Sequence, residues 1–106
     1  MMQTALDDRQ SGRTTLVMRE ALAYSRNGST PVYVIHSRHA VGYFRRLWEH
    51  LGGEPRALKI MTPNQEFRGL APESIFIDHH VFEVGFYNPG LESLIRGKRA
   101  LAGEPQ

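Results

Sequence analysis

Two stretches of the chain carry side chains suited to phosphate chemistry, and a third set suits a metal ion. The first stretch is Asp7, Asp8, Arg9, Gln10, Ser11, Gly12, Arg13, Thr14 and Thr15. Set against the phosphate-binding pattern G-x-x-x-x-G-K-[ST], it matches at Gly12 and Thr14, with Arg13 at the Lys position and Asp7 at the first Gly. Gly12 permits close backbone approach, the amides opening a following helix point at a phosphate, and the Thr14 hydroxyl can meet Mg²⁺. Arg13 keeps the positive charge, although a planar fork does not replace the slim ammonium that reaches between phosphates. The competing reading is a glycine-containing turn in which Ser11 or Thr14 caps a helix.

The second stretch runs from Ser74 through Ile75, Phe76 and Ile77 to Asp78, followed by His79, His80, Val81, Phe82 and Glu83. A carboxylate at the tip of an apolar strand is placed to hold the hydration shell of Mg²⁺, and it equally caps a loop. The third set joins His36, His39, His79 and His80 to Asp78 and Glu83, at two strand ends that a parallel sheet can make neighbours. Imidazole and carboxylate ligands suit Zn²⁺, Mn²⁺ or Fe²⁺. No helical His-x-x-x-His pair is present, however, and adjacent His79 and His80 on an extended segment point to opposite sides. Histidines that only bind loop backbone are the alternative.

Strands and helices must alternate to bring these groups together. Residues 1–6 form a first strand or a loose end, and residues 7–12 a polar loop. Leu16, Val17, Met18, Ala21, Leu22 and Tyr24 predict a helix from residue 13 or 14 to about residue 26, stopped by Asn27 and Gly28. Residues 31–36 are the clearest strand, short, β-branched and apolar on both faces. Ser37 caps a helix carrying Val41, Phe44, Leu47, Trp48 and Leu51, which Gly52 and Gly53 end. Residues 57–62 form a second strand and residues 74–78 a third. Asn88 followed by Pro89 opens a last helix bearing Leu91, Leu94, Ile95 and Leu101. The expected architecture is a compact three-layer α/β domain with a short, mainly parallel sheet of three or four strands. It fills residues 1–102, and residues 103–106 are a frayed tail. In such sheets ligands bind beyond the carboxyl ends of the strands, where every chemically interesting residue lies.

Composition narrows the function classes. At 106 residues there is room for one domain. Without cysteine there is no disulfide framework, thiolate metal site or cysteine nucleophile. No apolar run is long enough to span a membrane, and a cytoplasmic location is expected. The net charge is only +2, and 11 of the 13 basic residues are Arg, so no basic block announces nucleic-acid binding. Arg96, Lys98 and Arg99 end the last helix, where cations complement its dipole.

The order of Gly12, Arg13, Thr14 and Thr15, then a helix, the strand of residues 31–36, and Asp78-His79 with Glu83, resembles P-loop NTPases. It is similar to the first half of helicase- and terminase-type ATPase cores, and to small phage-encoded P-loop-like proteins, over roughly residues 9–83. The resemblance implies that Gly12, Arg13, Thr14 and Thr15 hold the phosphates of ATP or GTP. Thr14 and Asp78 would hold Mg²⁺, and Glu83 or His79 would position water. The missing Lys and first Gly, and a chain too short for later strands, favour binding over hydrolysis, with missing parts supplied by a homo-oligomer if at all. The expectation is a phage-type accessory protein, in the host cytoplasm if phage-encoded. It would bind nucleotide or phosphate weakly, or have lost that activity. The alternative is a non-enzymatic protein that modulates a host protein through the aromatic cluster of Phe82, Phe86 and Tyr87.

Overall fold

The computed structural model describes residues 9–103, with side chains from Gly12 onward. Helix α1 spans Arg9–Ser25, followed by β1 (Val32–Val34), α2 (Val41–His50), β2 (Lys59–Met61), β3 (Ile75–Ile77), α3 (His79–Val84) and α4 (Pro89–Leu101). The strands form one sheet in the order β2-β1-β3, parallel throughout. Val32 pairs with Lys59 and Ile75, and Val34 with Met61 and Ile77. Two backbone bonds carry the pairing past the strand ends, Ile35 N–H to Met61 O and Asp78 N–H to Val34 O, both 2.9 Å.

Alternation along β1 divides the interior into two layers. Tyr33 and Ile35 join Met18, Ala21 and Leu22 of α1, Phe44 and Trp48 of α2, and Phe76. Val32 and Val34 join Met61, Phe67, Ile75, Val81 of α3, and Leu91 and Leu94 of α4. A strand apolar on both faces is what a central parallel strand needs, and each buried side chain of this size contributes about 1.5–3 kcal/mol. The result is the expected three-layer α/β domain. No described helix is long and apolar enough to cross a membrane.

The chain leaves β1 through α2 to reach β2 on one side, then returns through residues 62–74, with Phe67 in the second layer, to β3 on the other. The order therefore reverses at β1. The crevice at such a reversal, beyond the carboxyl ends of β1 and β3, is where doubly wound sheets bind ligands.

Several local signals act as the sequence predicts. Ser37 accepts a bond from the His39 amide and opens the turn Arg38–Ala40 that leads into α2. Asn88 accepts from the Leu91 amide at 3.1 Å and opens α4. Gly28 and Gly52 end α1 and α2 with positive φ.

Two expectations are corrected. The polar loop placed before residue 13 is helical from Arg9, because burial of Thr14 against β3 anchors the first turns and offsets the cost of about 1 kcal/mol for Gly12 in a helix. The segment after Asp78, taken as extended, is the helix α3: Asp78 caps it by accepting the His80 amide, and Gly85, at φ 89°, ends it. The suggested strand at residues 1–6 and the tail residues 104–106 lie outside the described residues.

Candidate functional site

The site is organised by Asp78, which the last turn of β3 delivers to the carboxyl edge of the sheet and which is completely buried. An isolated carboxylate there would cost several kcal/mol, so its oxygens must be bonded. Oδ1 accepts the Thr14 hydroxyl at 2.9 Å and the Tyr33 hydroxyl at 2.9 Å. Oδ2 accepts the His80 amide at 3.2 Å and lies 3.1 Å from His80 Nδ1. Tyr33 belongs to β1, Thr14 to α1 and His80 to α3, so one carboxylate ties three elements together. Burial first, and then the charge of Asp78, push the Tyr33 phenol far above its usual pKa.

The phosphate-type residues sit next to this hub. Gly12 and Arg13 are exposed, Thr14 is buried and Thr15 is half-buried. They occupy the first turns of α1 rather than a loop preceding it. Beyond the first four residues of a helix the amides are engaged within it, so in a helix that starts at Arg9 the amides of Arg13, Thr14 and Thr15 cannot cradle a phosphate as a preceding loop would, and only their side chains remain for binding. Arg13 lies 3.6 Å from Glu83 of α3, both side chains about half exposed, an ion pair of little energetic weight. The structure therefore brings Thr14 onto Asp78 and Arg13 onto Glu83.

The Thr14 and Asp78 oxygens fit Mg²⁺ by donor type and not by any vacancy between them. Neighbouring oxygens of a Mg²⁺ octahedron with bonds of about 2.0–2.1 Å are about 2.9 Å apart. Thr14 Oγ1 and Asp78 Oδ1 are 2.9 Å apart because they share a hydrogen bond, so an ion held by both would have to replace that bond at a buried position. Both are hard oxygen ligands, which is what this cation takes.

The histidines gather where α3 begins. The His79 and His80 rings are 4.2 Å apart, and His36 at the end of β1 is 5.3 Å from His80. Because α3 is helical, His79 and His80 do not diverge as they would on a strand, which corrects the expectation of opposite directions. Both ring nitrogens of His79 are buried without a hydrogen-bond partner. Two sets of donor atoms lie within 4.8 Å of one another: His36, Asp78 and His80, and His79, His80 and Glu83. His39 belongs to neither.

His39 instead lines an open cleft of about 430 Å³ together with His36, Arg38, Thr62, Asn64 and Tyr87. The wall formed by residues 62–65 is fixed from two sides. The Thr62 amide donates to Gln65 Oε1 at 2.7 Å, and the Asn88 side chain donates to the carbonyls of Pro63 and Gln65. Sequence reasoning marked the loop after β2 for its position but not Thr62 or Asn64 as lining residues. Their only sequence signal is polarity directly after a buried strand. Comparison with family models, with curated proteins and with solved structures found no match.

Proposed function

We propose that this protein binds the phosphate groups of a nucleotide, with Mg²⁺, at the carboxyl edge of its sheet. The observation that carries this reading is the 2.9 Å hydrogen bond from Thr14 Oγ1 to Asp78 Oδ1, which joins a hydroxyl of α1 to a strand-tip carboxylate, two hard oxygen donors of the kind Mg²⁺ takes. Thr14 and Asp78 would hold the ion and Arg13 would face the phosphates from the exposed side, with the exposed Gly12 leaving the helix surface beside it open. Bound Mg²⁺ would neutralise phosphate charge and fix its orientation. Tyr33 keeps its hydroxyl on Asp78 Oδ1 and holds the carboxylate in place. Glu83 or His79 would orient a water if turnover occurred, but binding rather than turnover is the proposed role. The Arg13–Glu83 pair must open for Arg13 to reach an anion, and at 3.6 Å and half exposure this costs little.

The test is a melting-temperature titration with ATP, GTP and their diphosphates, each with and without Mg²⁺. A ligand at 100 times its Kd stabilises by about 2.7 kcal/mol, well above detection. A rise that requires Mg²⁺ and is reduced by Arg13→Ala is expected. No rise with any of the four at millimolar concentration would sink the reading.

A second reading rests on a different observation. Phe82, Val84 and Tyr87 are exposed around the end of α3, and contiguous apolar exposure marks protein contact surfaces. On this reading the chain is an interaction protein, and a host protein is its partner if it is phage-encoded. Phe82→Ser with Tyr87→Ser would then abolish a partner interaction while leaving any nucleotide-dependent melting shift intact.

A further inference from the structure

We infer that α3 carries a site for a first-row divalent transition metal, Zn²⁺ foremost, with His79, His80 and Glu83 as ligands and Asp78 orienting His80 from behind. It adjoins the proposed phosphate site, with which it shares Asp78, His79 and Glu83, and does not depend on nucleotide binding.

Four features support it. His79 and Glu83 stand four residues apart on one helix, so they share a face, and His80 is the next residue round. One donor atom from each of the three lies within 4.8 Å of the others. Tetrahedral ligands on bonds of about 2.0–2.2 Å are about 3.4 Å apart, so a contraction of no more than about 1.4 Å between donors makes the set, and Glu83 is half exposed. Both His79 ring nitrogens are buried with no partner. A neutral imidazole left so loses the bonds it would have in water, and coordination to a metal is one way to recover them. Finally, His80 Nδ1 lies 3.1 Å from Asp78 Oδ2. A carboxylate on one imidazole nitrogen fixes the tautomer and the ring orientation, the usual support of a metal-binding histidine.

The rival set, His36, Asp78 and His80, would make Asp78 itself a ligand. That carboxylate already takes Thr14 and Tyr33 on one oxygen and His80 on the other. Its Oδ2 is already taken by the amide and ring of His80, so toward that imidazole it suits the supporting role. Two imidazoles, one carboxylate and no thiolate leave a coordination position for water or a ligand oxygen, the pattern of open rather than purely structural zinc sites. Ca²⁺ and Mg²⁺ prefer all-oxygen sets and are not what this cluster selects.

The test uses the full chain, stripped with chelator and free of nucleotide. Zn²⁺ binding is measured by calorimetry, and Co²⁺ binding by its visible absorption. The expected result is one equivalent bound and a rise in melting temperature. Glu83→Ala and, separately, His79→Ala should weaken Zn²⁺ binding by roughly tenfold or more, and His36→Ala should not. Circular dichroism of each stripped variant checks that it is folded, and Glu83, on the surface, is the change least able to disturb folding. No stoichiometric binding overturns the inference. So does binding that survives both Glu83→Ala and His79→Ala, or that is lost in His36→Ala.

Discussion

The Thr14 hydroxyl donates to Asp78 Oδ1 at 2.9 Å across 64 positions of sequence, joining the first turns of α1 to the tip of β3. Both partners are buried, so removing the donor leaves Asp78 Oδ1 with Tyr33 alone, where water cannot make up the loss. Thr14→Val should therefore cost about 1–3 kcal/mol, which in a domain of this size lowers the melting temperature by at least about 4 °C. Thr14→Ser keeps the hydroxyl and should recover most of that loss. Denaturant unfolding of the two variants checks the difference.

Tyr33 gives the fold an alkaline limit. An unfolded phenol loses its proton near pH 10. In the folded protein burial and Asp78 hold it protonated well beyond that point. Because the folded state keeps the proton longer, its contribution is complete below about pH 10 and declines as pH rises further. Lys98 acts with the opposite sign. Its ammonium, partly buried over the Phe76 ring, is pushed below its usual pKa, so its share of stability rises with pH until the unfolded lysine also titrates. Stability measured against pH should fall above pH 10 in the natural chain and more gently in Tyr33→Phe, with Lys98 unchanged between the two.

Gly53 is set by Trp48. A Cβ at Gly53 would lie well inside contact distance of the indole, which is held in place by a bond from Nε1 to the Glu54 carbonyl at 2.6 Å. The φ of this glycine is ordinary, so the requirement is for space and not for backbone freedom. Gly53→Ala should cost about 1–3 kcal/mol by overpacking. As the only tryptophan, Trp48 reports it directly through a shift in fluorescence.

Arg13 separates binding from stability. Its pair with Glu83 is exposed, so Arg13→Ala should change unfolding free energy by less than about 0.5 kcal/mol. If Arg13 meets a phosphate, the same change removes a charged hydrogen bond worth about 1.5–3 kcal/mol and weakens nucleotide affinity about tenfold or more. Parallel melting and binding curves on one variant distinguish these effects.

The sequence by itself determined the elements with strong local signals. Apolar residues on both faces of 31–36 made a central strand, Ser37 and Asn88 capped helices, and Gly28 and Gly52 ended them. These features are legible because their causes lie within a few residues. The start of α1 and the whole of α3 were not. Gly12 argues locally against a helix, and Val81 and Val84 argue for a strand around the histidines. In each case Asp78 decides: it draws Thr14 into the interior and caps the His80 amide. The same holds for the candidate site. Thr14, Asp78, His79, His80 and Glu83 were recognisable by type and order, but whether their atoms met was not. Distances of that kind depend on strand register and helix packing across 64 residues, which only the tertiary structure sets. It placed a hydroxyl within hydrogen-bond distance of a carboxylate and turned two histidines that a strand would separate into neighbours on one short helix.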